Sequence, residues 1–70
     1  MITSFMIENN FSHHAPKDDQ ANRYEQIRGK AKEFARLIAE LTPPSREQSL
    51  AMTNLEQTVM WANAAIARNE

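Results

Sequence analysis

Pro43-Pro44-Ser45-Arg46-Glu47-Gln48 is the stretch that decides the fold, because it stops one helix and starts the next. Pro44 has no N–H to donate, and its ring keeps Pro43 out of the α region. Ser45 is expected to cap the following helix, its hydroxyl accepting from the N–H of Gln48 while the Gln48 side chain reaches back to the N–H of Ser45. So short a connection makes the flanking helices run antiparallel, and the sequence therefore predicts a helical hairpin.

Apolar residues on both sides of this turn recur at alternating steps of three and four, which is typical of a heptad seam. Helices are predicted over about 18–41 and 46–69, within a hairpin that spans residues 18–70. The predicted seams are Tyr24, Ile27, Ala31, Phe34, Ile38 and Leu41 in the first helix, and Met52, Leu55, Val59, Ala62 and Ile66 in the second. Facing seams would pack like a short antiparallel coiled coil, so the predicted fold class is all-α.

Other apolar residues lie off these seams and would be exposed in a monomer. They are Leu37, Leu50, Met60, Trp61 and Ala65. Contiguous exposed apolar area usually marks an interface or a ligand groove. A chain of 70 residues also builds only a small core, and it has no cysteine for disulfides and only His13 and His14 as imidazole ligands. We therefore predict a homo-oligomer of hairpins, with no metal and no cofactor.

Residues 1–17 are predicted to form an irregular arm and a connection. The first 11 residues are apolar in patches without a helical period, so this arm either hangs free or folds over a neighbouring subunit. Pro16 lies near the next helix start, with Asp18 or Asp19 as its N-cap or first-turn carboxylate. The arm lacks the positive region of a signal peptide, and no apolar run approaches the roughly 20 residues of a membrane span. We expect a soluble, cytoplasmic protein with no membrane partner.

Cations around the only glycine are candidates for ligand binding. Gly29 lies in the middle of the first predicted helix, where it costs about 1 kcal/mol relative to alanine. Either a second subunit or a ligand is expected to approach its backbone closely. Arg28 has only Glu25 at helical spacing, and Lys30 is interpreted as having no carboxylate on the neighbouring turns. Both cations are therefore expected to be available to an outside anion.

Arg68 and the two histidines each allow two interpretations. Arg68 either favours the negative end of its own helix or binds a phosphate or base. His13 and His14 are either loop surface or rings that stack on a nucleobase beside Arg28 and Lys30. The net charge of −1 argues against duplex nucleic acid as a partner. We also expect no enzyme, because the chain has neither a glycine-rich phosphate loop nor a nucleophile with a partner base.

Three segments resemble the small phage and prophage hairpin proteins of the anti-CBASS and anti-Thoeris sponge family. These are RYEQIR at 23–28, PPSREQSLA at 43–51 and the C-terminal 59–70, which contains the run MWANAAIAR. The likeness runs from about Phe11 to the end. It implies a homo-oligomer, commonly a hexamer, that sequesters cyclic di- or trinucleotide second messengers without cleaving them. Such a protein silences a bacterial immune signal.

The resemblance also implies where the ligand binds. In the family, a stacking residue ahead of the first helix and a lysine within it line a pocket between subunits. The nearest positions here are His13 or His14 and Lys30, and the arginine of the C-terminal run corresponds to Arg68. This chain has His13 where the family pattern has a tyrosine, and this departure bears on the stacking role and on the preferred base.

The off-seam apolar surface and the N-terminal arm also fit a second kind of function. Amphipathic helices with an unpartnered apolar face commonly bind a helix of another protein. The alternative to a nucleotide sponge is therefore a helical protein-protein interaction module that takes no small ligand.

Overall fold

The computed structural model describes all 70 residues. They form three α-helices with short connections, and no strands. The helices are α1 (Ser4–Phe11), α2 (Gln20–Leu41) and α3 (Arg46–Asn69). Only α2 and α3 pack substantially against each other, and together they form a hairpin. The molecule measures 44 × 31 × 14 Å, so its smallest dimension is about the thickness of one helix layer. None of the helices combines the length and the apolar character that crossing a bilayer requires.

The turn between α2 and α3 forms at the two prolines, as predicted. Ser45 is the N-cap of α3, and its Oγ accepts a hydrogen bond from the N–H of Gln48 at 3.1 Å. The prediction that the Gln48 side chain bonds to the N–H of Ser45 was wrong. Gln48 Nε2 donates instead to the carbonyl and hydroxyl oxygens of Thr42, both at 3.1 Å. Thr42 offers this amide group two acceptors at once. The Gln48 side chain therefore ties the start of α3 to the end of α2.

The interface of the hairpin follows the predicted seam in α3 and only part of it in α2. All five seam residues of α3 are half-buried. Phe34 and Leu41 of α2 are 53% and 73% exposed, and Ala35 is half-buried in place of Phe34. Residues three and four positions after Ala31 both lie near the same side of the helix, and in this register the four-residue step, to Ala35, faces α3.

No apolar side chain is buried in the single chain. Gln20 is the only buried residue, at 4% exposure. The large off-seam side chains of Met60 and Trp61 are 67% and 65% exposed. A lone hairpin of this shape therefore lacks a core of its own. Because apolar burial is the main favourable term in folding, the single chain also lacks the main source of stability.

The N-terminal arm contains a helix, so the prediction of an irregular arm was wrong. Thr3 caps α1, and its side chain accepts from the N–H of Met6 at 3.1 Å. The apolar residues of α1 lie on several sides of the helix and are all exposed: Phe5, Met6, Ile7 and Phe11. Periodicity indicates a helix only where one face is apolar, and α1 has no such single face.

The connection before α2 also differs in detail from the expectation. Asp18 adopts a left-handed backbone with φ of 52°, a conformation that aspartate tolerates better than most residues. Asp19 is at the N-cap position, but its side chain makes no capping hydrogen bond. Its carboxylate lies 3.2 Å from Nε of Arg23 instead. Gln20 Oε1 accepts from the N–H of Lys17 at 3.1 Å, which closes the turn into α2.

Candidate ligand site beside the last turns of α3

Two adjoining grooves lie where α3 ends beside the start of α2. The first, which we call the arginine groove, has a volume of about 370 Å³. Its polar lining residues are His14, Tyr24, Arg28, Asn63 and Arg68. The second, the N-terminal cleft, has about 290 Å³ and includes Asn9, Lys17, Gln20 and Glu70 in its wall. His14 and Arg68 line both, so the two grooves form one continuous surface of a size common for ligand sites.

The arginine groove brings together three of the residues singled out from the sequence. His14 comes from the loop ahead of α2, Arg28 from α2, and Arg68 from the end of α3. Their positions span the chain, and the hairpin places them side by side. This convergence is what makes the groove the candidate site.

The other three predicted residues lie elsewhere. Lys30 lines an apolar groove of about 440 Å³ together with Phe34. Successive helix residues turn by about 100°, so Lys30 points roughly 200° away from Arg28. Gly29 has no heavy atom within 4 Å of the position a Cβ would take, and His13 is exposed and outside both grooves of the candidate site.

Arg68 is the cation of the site that is free to bind an anion. It is half-buried, and its guanidinium forms no ion pair within the chain. Arg28 Nη1 donates to Glu25 Oε1 at 2.5 Å, and this exposed pair is worth little, so a phosphate can compete for it.

Lys30 has an intrahelical partner, so the interpretation that it had none was wrong. Its Nζ lies 3.4 Å from Glu33 Oε2. Glu33 follows Lys30 by three residues, a spacing at which side chains on a helix meet. The pair is largely exposed, at 83% for Lys30 and 65% for Glu33, and therefore weak.

The His14 ring is held in one orientation by the backbone of α1. Its Nε2 is 2.7 Å from the carbonyl oxygen of Asn9. A carbonyl oxygen can only accept, so Nε2 donates and the other ring nitrogen, Nδ1, is not used in this bond. Asn9 Nδ2 in turn donates to the carbonyl oxygen of Arg68 at 3.0 Å. The end of α1, the loop and the end of α3 are thereby tied together at the site.

A cluster of polar side chains next to the grooves joins the end of α3 to the start of α2, and we call it the Glu70 clasp. Arg23 binds the Glu70 carboxylate with both terminal nitrogens, Nη1 donating to Oε2 at 2.8 Å and Nη2 to Oε1. Gln20 Nε2 donates to Oε1 at 3.1 Å, and Lys17 Nζ to the backbone oxygen of Glu70 at 2.8 Å.

The clasp changes the acidity of both members of the ion pair. The hydrogen bonds from Arg23, followed by that from Gln20, lower the pKa of Glu70 from 4.5 to about 2. The pKa of Arg23 is raised, chiefly by its hydrogen bonds to Glu70. The clasp therefore holds the last turn of α3, and with it the backbone of Arg68, against α2.

Several residues of this site were not identified from the sequence as site residues. The sequence pattern places Tyr24 in the helical seam and Asn9 in an irregular arm. Asn63 interrupts the alanine-rich run at 62–65, and this polar residue among small apolar ones was the available signal. The structure brings no three metal-ligating side chains together.

A protein-family model described as Acb2/Tad1, hairpin domain, matches residues 6–67. The matched span includes most of α1, all of α2 and nearly all of α3. No curated protein and no solved structure matches the chain.

Proposed function

The chain belongs to the Acb2/Tad1 hairpin-domain family, and we propose that it is a sponge for the cyclic oligonucleotides that carry bacterial immune signals. In this proposal the protein binds cyclic di- or trinucleotides, holds them without cleaving them, and so blocks anti-phage signalling. The observation that carries the proposal is the convergence of His14, Arg28 and Arg68 in the arginine groove.

The groove has the two kinds of group that such a ligand needs. Arginine binds phosphate oxygens through charge-assisted hydrogen bonds, often two at once, and Arg68 has no competing partner in the chain. Flat side chains stack on nucleobases, and Tyr24 and His14 both line the groove. We propose that Arg28 and Arg68 hold phosphates while these rings contact a base.

The composition of the groove also favours sequestration over hydrolysis. Cleavage of a phosphodiester requires an activated water, supplied by a metal or by a general base of tuned pKa. No carboxylate lines the arginine groove, and Glu70 of the neighbouring cleft is already bonded to Arg23 and Gln20. The groove residues can therefore bind and orient a ligand, and we propose that this is all they do.

Lys30 belongs to a different part of the proposed mechanism. It lies on the other side of α2 from Arg28, so one small ligand cannot reach both within a single chain. We propose that the Lys30 groove, with the exposed Phe34, meets a second subunit of a homo-oligomer, expected to be a hexamer. Such an assembly would provide ligand pockets in addition to the arginine groove.

Calorimetric titration with cyclic di-AMP, cyclic di-GMP and a cyclic trinucleotide tests the proposal. Arg68→Ala should weaken binding at the arginine groove by about 1.5–3 kcal/mol, the worth of a charge-assisted hydrogen bond. Lys30→Ala should weaken binding at the inter-subunit pocket by a similar amount and leave the oligomer intact. Arg46→Ala is the matched control, because Arg46 is exposed at the opposite end of the hairpin.

Two results would contradict the proposal. Recovery of linear dinucleotide or mononucleotides after heat denaturation, in place of intact ligand, would make the protein an enzyme. Absence of binding and of any thermal shift with ligand at about 100 µM would exclude the sponge, since ligand binding to the folded state raises the melting temperature. The exposed apolar faces would then favour the protein-interaction module.

A further inference from the structure

Asn9 connects the N-terminal helix to the cation of the site that has no ion-pair partner. Its Nδ2 donates to the backbone oxygen of Arg68 at 3.0 Å, across 59 positions of the chain. Both residues are half-buried and line the N-terminal cleft. Among the side-chain hydrogen bonds of the protein, this one alone reaches the backbone of Arg68.

Arg68 lies where a helix is least constrained by its own hydrogen bonds. α3 ends at Asn69, and the carbonyl groups of the last turn of a helix have no partner within it. Without an outside donor such a turn frays, and the side chains on it lose their fixed positions. The Glu70 clasp holds the residue after the helix from the side of α2, whereas Asn9 holds Arg68 itself from the side of α1.

We infer that Asn9 is a positioning residue of the ligand site, which holds Arg68 where its guanidinium meets a phosphate of the bound nucleotide. This inference rests on the proposed function of the arginine groove. A binding group that is correctly placed for only part of the time lowers the apparent affinity by that fraction. The net worth of a neutral hydrogen bond changes such an equilibrium by up to about tenfold. The helix α1, which buries none of its residues, is then a part of the ligand site.

Calorimetric titration of two Asn9 variants tests the inference. The ligand is whichever of cyclic di-AMP, cyclic di-GMP and a cyclic trinucleotide binds less well to Arg68→Ala than to the wild type. Asn9→Ala and Asn9→Leu both remove the donor, and both keep the backbone oxygen that accepts from His14. Each should weaken binding about fivefold. Asn10→Ala is the matched control, because Asn10 is the exposed neighbour on the same helix, and it should bind as the wild type does.

A double-mutant cycle separates positioning of Arg68 from a general role in folding. If Asn9 acts through Arg68, Asn9→Ala should cause little further loss of affinity in a protein that already carries Arg68→Ala. An equal loss in both backgrounds would overturn the inference. A smaller oligomer in both Asn9 variants would also overturn it, because Asn9 would then serve the assembly.

Nuclear magnetic resonance of the unliganded protein gives a second measurement. The ¹⁵N relaxation of Arg68 Nε should report a more mobile guanidinium in Asn9→Ala than in the wild type or Asn10→Ala. Equal mobility, or wild-type affinity in both Asn9 variants, would refute the inference and leave the sponge standing. If the wild type binds none of the three nucleotides, or if Arg68→Ala weakens none of them, the proposed arginine groove fails and the inference fails with it.

Discussion

At the scale of single residues, Glu70 links the acidity of a side chain to the stability of the hairpin. Its pKa is about 2, below its ordinary 4.5, because Arg23 and Gln20 bond the charged form. A carboxylate with a lowered pKa stabilises the folded state above the unfolded pKa and loses that contribution as the pH falls through the folded pKa. We therefore expect the melting temperature to fall between pH 4.5 and pH 2.

Glu70→Gln isolates this contribution. The variant should lose part of the acid-induced decrease, measured by circular dichroism melts across the same pH range. Glu56→Gln is the matched control, because Glu56 is exposed on α3 and forms no ion pair. Equal pH profiles for the Glu70→Gln variant and the wild type would show that the clasp does not contribute to stability.

Gly29 is open on the side where alanine would add a methyl group. No heavy atom of the chain lies within 4 Å of that position, so Gly29→Ala should stabilise α2 by about 1 kcal/mol without a clash inside the chain. We expect higher helicity by circular dichroism, together with weaker assembly or ligand binding if another subunit or a ligand contacts the bare backbone. A variant that is more stable and assembles and binds normally would leave the glycine without a functional role.

At the scale of secondary-structure elements, the cap of α3 has the clearest energetic role. Ser45 Oγ satisfies the N–H of Gln48, one of the N–H groups that lack an acceptor at a helix start. Ser45→Ala should therefore reduce the free energy of unfolding by about 1 kcal/mol, measured by urea denaturation at fixed protein concentration. Ser49→Ala is the control, since Ser49 is exposed on the same helix and does not cap it. A comparable loss in both variants would argue against the cap.

The helix α1 depends on contacts with the rest of the protein for its stability. Eight residues are too few for a stable isolated helix in water, and α1 buries none of its residues in the chain. Its last turn is tied to the site through Asn9, which bonds to the backbone of Arg68 and to the His14 ring. The exposed apolar side chains of α1 fit the proposed contact with another subunit of a homo-oligomer.

At the scale of the whole molecule, the missing core is the main feature. The chain is a thin slab with large apolar side chains exposed on its faces, including Trp61 at 65% and Phe34 at 53%. Area of this kind is normally covered in a stable protein. We expect a homo-oligomer at micromolar concentration, with a melting temperature that rises with protein concentration by mass action.

Trp61→Ala should lower the mass of this oligomer in light scattering or reduce its melting temperature, because the change removes a large apolar contact. Gln57→Ala, an exposed polar residue one helical turn earlier on α3, should have little effect. A wild-type protein that is monomeric, with a melting temperature independent of concentration, would contradict the assembly.

The sequence by itself determined the hairpin and several of its cations. Two prolines followed by Ser45 end one helix and cap the next through bonds that reach only three residues, so the turn can be predicted without any distant contact. The apolar repeat also predicted the seam of α3 correctly, because the spacing of apolar residues along one helix is a local signal. Arg28 was singled out from the local spacing, because Glu25 is its only carboxylate at helical distance, and Arg68 from its place in the last turn of α3.

Only the tertiary structure decided which residues meet. The Glu70 clasp joins residues about 50 positions apart, and the arginine groove combines a loop with two helices. Such contacts depend on the register and rotation of α2 against α3. The same rotation exposes Phe34 and places Arg28, not Lys30, in the groove beside Arg68. Local signals specify where helices begin and end, whereas packing, through the 3.6-residue turn, decides which side chains share a surface.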